Sequence, residues 1–260
     1  MKIAILGAAG RMGQNLLRCA KKIEGCEIVA AVERAGHPCL GAPVPDSLGD
    51  LRYTADWPTD AEVVIDFTFH ECVTANLANA VACGQAVVLG TTGFSDAEKQ
   101  CVADAATKIP VVWAANMSLG VNLLLELVKR TAAVLGSDYD VEIVEAHHRL
   151  KKDAPSGTAL SLAEAAAAGR DVTLRNVACC GREGIIGERP KGEIGIHAVR
   201  GGAIVGEHTV AFIADEETVE ITHKATSREA FATGALRAAL WLEGRPPAIY
   251  TMRHVLGFAD

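Results

Sequence analysis

Aromatic residues are scarce in this sequence: three Trp, three Tyr and six Phe make up 5% of 260 residues. Ala, Val, Ile and Leu must therefore build the core, and with half of the chain hydrophobic they suffice for a sizeable one. Together with 25 glycines, that palette suits α/β proteins whose parallel strands are buried on both faces. No run of about 18 apolar residues occurs, so no membrane-spanning helix is expected. The opening MKIAILGAAGRMG is apolar early, but Gly and Arg interrupt it before a signal peptide could form, and a cytoplasmic location is expected. Basic residues are in deficit, 25 Lys and Arg against 32 Asp and Glu, for a net charge of -7. A broad basic face for nucleic acid is excluded on that balance, whereas a local positive site for a small anion is not. The eight cysteines include no CxxC pair, so no metal site is expected. Most lie in apolar runs and read as buried free thiols.

Strand-like and helix-like segments alternate through the first half. KIAILG, EIVAAVE, AEVVIDFT, QAVVLGTTG and VVWAAN are short apolar runs, separated by segments of helical spacing such as RMGQNLLRCAKK and Ser95 to Ala106. A Gly- and Pro-rich stretch over 35–50 reads as loop. Alternation at this spacing predicts βαβ units with right-handed crossovers, hence a doubly wound parallel sheet of the Rossmann kind. From about Ser118 the pattern changes. A helix over SLGVNLLLELVKRTAAVL, a strand over YDVEIVEAHH, a helix from Gly157 to about Ala168 and three further strand-like runs predict a smaller α+β domain with a mixed sheet. SREAFATGALRAALWL reads as a last helix.

Two stretches carry chemistry. GAAGRMG has glycines at 7, 10 and 13, follows a strand and opens a helix, the context of a dinucleotide-binding turn. Gly7 would make the turn, Gly10 would admit a pyrophosphate to the helix N-terminus, and Gly13 would let the helix pack close to the sheet. EIVAAVE ends at Glu33, where an acid accepts from ribose hydroxyls. Arg34 follows; it reads either as a solvated charge or as a partner for a 2′-phosphate, and the adjacent acid and base suggest use of both NADH and NADPH. Phe67 and Thr68, the turn at Gly90, Thr91 and Thr92, and Ala114, Ala115, Asn116 and Met117 close the third, fourth and fifth strands, the edge where open α/β sheets bind ligands.

The second stretch is EAHHRLKKDAPSGTAL, residues 145–160. Two His, one Arg and two Lys fall within six positions of an otherwise acidic chain. Lys and Arg neutralise carboxylates, and His exchanges protons near neutral pH. PSGTAL reads as a helix start whose amides can cradle a carboxylate. A basic run and a helix start can thus hold one small, negatively charged molecule from two sides.

EAHHRLKKDAPSGTA closely resembles the signature stretch of the dihydrodipicolinate reductases, and GAAGRMG, VIDFT, GTTGF, AANMSLGVN, GEHTV, ITHKATSR and ALWL extend the resemblance along nearly the whole chain. The resemblance implies NAD(P)H-dependent reduction of the cyclic product of dihydrodipicolinate synthase to tetrahydrodipicolinate, in the diaminopimelate route to lysine. It implies His147 and Lys151 as the proton-transfer residues. His148 and Ser156, with Gly157 and Thr158 as the carboxylate-binding pair, become substrate-binding positions. Gly7, Ala8, Ala9, Gly10, Arg11 and Met12 become cofactor positions, as do Glu33, Arg34, the three strand-end stretches above and Arg228. It also implies a homotetramer and a return of the C-terminal segment to the first domain, giving 1–118 with 229–260 and 119–228. Met117 departs from the phenylalanine of many relatives, Leu150 and Lys152 occupy variable positions, and the loop over 35–60 is short. Two other readings remain at this level: a dehydrogenase of aspartate or homoserine type, which would lack HHRLKKDAPSGT, and a silent NAD(P)-binding regulator, which would lack His147 or Lys151.

Overall fold

The computed structural model describes residues 1–45 and 50–258. Along the chain come β1 (Lys2–Leu6), α1 (Arg11–Ala20), β2 (Glu27–Val32), β3 (Tyr53–Thr54), β4 (Val63–Asp66), α2 (Val73–Cys83), β5 (Ala86–Leu89), α3 (Asp96–Ala106) and β6 (Pro110–Trp113). There follow α4 (Leu119–Leu135), β7 (Asp140–His147), α5 (Gly157–Gly169), α6 (Leu174–Val177), β8 (Ala178–Cys180), β9 (Ile194–Arg200), β10 (Gly206–Ile213) and β11 (Thr218–Ala225). The chain ends with α7 (Glu229–Trp241), β12 (Ala248–Tyr250) and α8 (Met252–Val255). Two compact units result: Met1–Leu119 with the segment from Glu229 on, and Gly120–Arg228.

In the first unit, seven parallel strands run in the order β12-β6-β5-β4-β1-β2-β3. The central strands are buried along their length save for Lys2 at the start of β1, as KIAIL, VVID and AVVL require. Ile3, Ile5, Val63, Ile65 and Val88 pack with Leu16 and Leu17 of α1 and with Ala232, Ala235 and Leu236 of α7. Each Val, Leu or Ile side chain so buried contributes about 1.5–3 kcal/mol. Val87, Leu89 and Val111 face the other layer, with Leu77 of α2 and Val102 of α3. The chain reverses direction across the sheet between β1 and β4, the switch point where such sheets open a crevice. Ser95 caps α3 in a reciprocal box with Glu98.

In the second unit a mixed sheet runs β11-β10-β7-β9-β8, with β7 antiparallel to β10 and parallel to β9. Val141 and Ile143 of β7, Val210 and Phe212 of β10, and Ile194 and Ile196 of β9 bury one face with Leu162, Ala163 and Ala166 of α5 and Val128 of α4. The other face of β7 carries Glu142. Burial of this carboxylate opposes its charge, but paired Arg182, with Arg189 and His197, outweighs that and holds its pKa down to about 2. These bonds tie the chain between β8 and β9 to the sheet.

The doubly wound parallel sheet and the mixed second sheet stand as expected. Strands β3, β8 and β12 were not anticipated, because two or three residues carry no readable period. The loop over 35–50 is turn and irregular chain where described, with one bridge from Pro43 to Arg52; residues 46–49 lie outside the described residues. The expectation of buried cysteines is corrected. All eight are free, but only Cys19 is buried, and Cys72, Cys83 and Cys180 are exposed. Cys72 and Cys83 flank or end α2, and Cys180 ends the edge strand β8, where apolar neighbours in sequence do not determine which way a side chain faces.

Candidate active site

At the switch point of the first unit, β1 runs into Gly7, whose φ of +65° is a left-handed turn costly to any side chain. The Gly10 amide donates to the Gly7 carbonyl at 3.0 Å, and the Ala8 amide to Val32 at 3.1 Å. A Cβ on Gly13 would lie 2.5 Å from the Ala8 backbone, so this approach of α1 to β1 admits only glycine. Gln14 braces the turn, donating to the Ala8 carbonyl and to the Tyr53 hydroxyl. Glu33, just past β2, accepts from the Ala9 amide at 2.9 Å and from the Arg34 amide at 3.3 Å. Its acidic side chain thus fixes the glycine turn as well as facing the space beyond it.

That space is a cavity of about 700 Å³. Gly7, Ala9, Gly10, Arg11 and Met12 border it from the turn, Glu33 and Arg34 from the end of β2, and Phe67 and Thr68 from the end of β4. Ala8 lies beneath, fully buried. Asp66, buried at the end of β4, accepts from the Thr68 amide and hydroxyl and from Asn76, which also borders the cavity. Gly10 caps α1 without a side-chain bond, and no acid occupies the first turn, so the helix amides and dipole remain available to an anion. Volume, glycine cradle and acid fit a dinucleotide with its pyrophosphate at α1.

Gly90–Thr92 and Ala114–Met117 lie further along the same strand edge, after β5 and β6. A Cβ on Gly90 would come within 2.2 Å of the Phe67 ring, so only glycine there leaves room for that ring, which borders the cavity. Thr91 is buried and donates to the Thr68 carbonyl, whereas Thr92 and Ala115 are exposed. Asn116 accepts from the Ser118 amide, and Met117 is buried in the core beside α7.

The second unit gathers the other candidates around a carboxylate. Strand alternation puts Glu145 and His147 of β7 on the same face, and register sets His147 beside Arg200 of β9 and Glu145 beside His208 of β10. Glu145 has no solvent exposure. Its Oε1 accepts from Arg200 at 2.7 Å and from the Ser156 amide at 2.9 Å; its Oε2 accepts from Arg200 at 2.7 Å and meets His147 Nδ1 at 2.6 Å. Burial opposes the charge, yet the Arg200 fork, His147 and the Ser156 amide outweigh it and hold the acid below its usual range.

Ser156 is buried. Its hydroxyl caps α5 by accepting from Ala159 and bonds His208 Nε2 at 3.2 Å. The residue assigned to substrate by resemblance thus faces inward, while Gly157 is exposed at the start of α5 and Thr158 half-buried behind it. Lys151 pairs with Asp153 at 2.9 Å, whose carboxyl that ammonium holds low. Arg200 also donates to the Asp153 carbonyl. His148 accepts the Leu150 amide at Nδ1. Arg228 is exposed at the end of the unit. Glu145, Arg200 and His208 were missed as site residues. Period-two alternation could have found Glu145; Arg200 and His208 are brought in by strand register, which has no local signal.

Residues 1–117 match the family described as dihydrodipicolinate reductase, N-terminus, and residues 120–256 the corresponding C-terminus family. The 4-hydroxy-tetrahydrodipicolinate reductase of Anaeromyxobacter dehalogenans is 49% identical over 263 residues, 98% of this chain and 97% of that one. The enzyme of the same name from Hahella chejuensis is 49% identical over 266 residues, 98% of each. A dipicolinate-bound dihydrodipicolinate reductase from a Paenisporosarcina species superposes with a TM-score of 0.77 at 24% identity, over 96% of this chain and 97% of that one, a likeness of fold. GenD2 of gentamicin A biosynthesis, solved with NAD, shares the fold at a TM-score of 0.56 and 15% identity, over 99% of this chain and 90% of that one.

His208 generates a pH prediction. Burial first, then the neighbouring His147, push its pKa from 6.5 down to about 4. Between those values the unfolded chain binds a proton that the folded chain refuses, so stability falls as pH falls through that window. His223, also lowered by burial, acts with the same sign. The His208 contribution amounts to roughly 3 kcal/mol at most. Urea unfolding at pH 7 and pH 5 should show the wild type losing stability on acidification and His208→Gln losing distinctly less; parallel losses would rule His208 out as the source.

Proposed function

The chain belongs to the dihydrodipicolinate reductase family, and on that premise we propose how its residues divide the reaction. The protein is an NAD(P)H-dependent oxidoreductase that reduces 4-hydroxy-tetrahydrodipicolinate in the diaminopimelate route to lysine, as its near full-length likeness to enzymes of that name implies. The observation that carries the division of roles is the gathering of His147 and the start of α5 on the buried Glu145 carboxylate, with Lys151 and its partner Asp153 in the loop that joins them.

When bound, NAD(P)H supplies a hydride from its nicotinamide. In the proposed arrangement, the amides at the start of α1 hold the pyrophosphate and Glu33 accepts from the ribose. Gly90–Thr92, Ala114–Met117 and Arg228 serve the nicotinamide end. Hydride addition leaves negative charge on the substrate ring, and a proton must follow. His147 or Lys151 delivers it, from Nε2 or Nζ. His148 and the amides of Gly157 and Thr158 hold the carboxylates, with Ser156 bracing them as the cap of α5. The bound diacid of the Paenisporosarcina relative supports a site for two carboxylates.

Glu33 beside Arg34 supports use of both NADH and NADPH. Arg34→Ala should raise the KM for NADPH at least tenfold while leaving that for NADH within about twofold, since the pair to a phosphate is charge-assisted. Equal losses would remove Arg34 from the 2′-phosphate.

The assembly proposed is a homotetramer. Exposed Val144, Val199 and Ile213 on the outer face of the second unit's sheet support an interface there. Sedimentation equilibrium of the purified chain should give four times 27.3 kDa. Eight free thiols and a reduced nicotinamide fit the cytoplasm. No helix among the described residues is long and apolar enough to cross a membrane.

Proton transfer by a placed side chain contributes about 10² to 10⁴-fold. His147→Gln and Lys151→Ala should each lower kcat by roughly that factor, and together by less than the product. NADH affinity should be unchanged in both, and His148→Gln should act mainly on substrate KM. Lys152→Ala is the control; if it proves as damaging as Lys151→Ala, or if His147→Gln retains full kcat, this assignment fails.

A further inference from the structure

We infer that Glu145, clamped by Arg200, is the positioning carboxylate of the reaction. It fixes His147 with a proton on Nδ1, and so makes Nε2 the atom that exchanges a proton with substrate. The inference rests on the reading of His147 as a proton-transfer residue and specifies how that residue is set up.

The argument starts from the acceptor-only nature of an ionised carboxylate. Glu145 Oε2 stands 2.6 Å from His147 Nδ1, and a bond at that distance requires the proton to sit on Nδ1. The acid is fully buried, so no water competes for the bond. Left alone, such a charge would not stay ionised; the two-pronged bond from Arg200 makes it stable there.

The other oxygen of the same carboxylate holds the Ser156 amide, at the cap of α5. One group therefore sets both the proton-transfer histidine and the start of the helix proposed to hold substrate. On the far side of the ring, a Cβ on residue 206 would lie 3.0 Å from His147 Nε2, so the glycine there keeps that atom clear. The remaining titratable neighbours are arranged not to disturb it. His208 stacks edge-on to His147 at 5.2 Å and is held neutral by burial, His223 lies beyond His208, and Lys151 is paired with Asp153.

The decisive experiment combines nitrogen-15 NMR of the His147 side chain with kinetics on the full-length protein. Wild type should show the proton of the neutral ring on Nδ1, with Nε2 bare. Glu145→Gln offers Nδ1 an amide donor and should move the proton to Nε2, with kcat falling about 10²-fold. NADH affinity, measured by fluorescence titration, should stay within twofold. Gly206→Ala should lower kcat while leaving the proton on Nδ1. Arg200→Lys keeps the charge without the fork and should retain the tautomer with an intermediate kcat. A wild-type spectrum with the proton on Nε2 overturns the inference, even if Glu145→Gln fails to fold. So does a folded Glu145→Gln protein that keeps its kcat within threefold. If His147→Gln itself keeps full kcat, the broader reading of the site falls; if His147→Gln is inactive and Glu145→Gln is not, only the positioning role falls.

Discussion

The buried carboxylate of Glu145 is the constraint around which the second unit is organised. A charge with no solvent exposure has to be met on every side, and here four donors from three elements meet it: two from Arg200 of β9, one from His147 of β7 and one from the cap of α5. Removing any one donor leaves the charge undercompensated, which is why such networks hold their members in a single arrangement. The parallel pairing of β7 with β9 and the antiparallel pairing of β7 with β10 are what bring Arg200 and His208 to this point. Packing of Val141, Ile143 and Phe212 under α5 in turn holds that register.

Glu142 offers a contrast on the same strand. It too is a largely buried acid with two arginines and a histidine, and its pKa is held down to about 2. Yet it faces the other side of the sheet, with a Cβ on Gly195 excluded by its own carboxylate at 1.9 Å, and its arginines come from the chain before β9. Its task is to fasten that segment. Similar chemistry thus serves two ends, decided by strand parity: Glu145 shares a face with His147 and the start of α5, and Glu142 does not.

The glycine turn of the first unit, proposed to hold an anion, is built by the opposite means. It spends no basic side chain on the turn interior; backbone amides, a helix dipole and glycines that keep Cβ atoms away form the cradle, and an acid, Glu33, stabilises it from outside. Arg11 and Arg34 stand only at the rim. On the proposed division of roles, a chain of net charge -7 would need no broad basic face to serve a dinucleotide and a dicarboxylate.

Much of this was determined by the sequence. Buried runs such as KIAIL and VVID read as central parallel strands, the spacing of Gly7, Gly10 and Gly13 between a strand and a helix predicts the tight turn found there, and EAHHRLKKDAPSGTA places the proposed acid–base residues within a few positions of each other. Local periodicity and turn chemistry act over a few residues, so they can be read there. The tertiary structure decided the rest. Two-residue β3 and three-residue β8 and β12 exist only because neighbouring strands complete their hydrogen bonds. Cys72, Cys83 and Cys180 face outward because of where their elements end. Arg200 lies 55 residues from Glu145, and its guanidinium reaches that carboxylate only through strand register, a long-range pairing that no local pattern encodes.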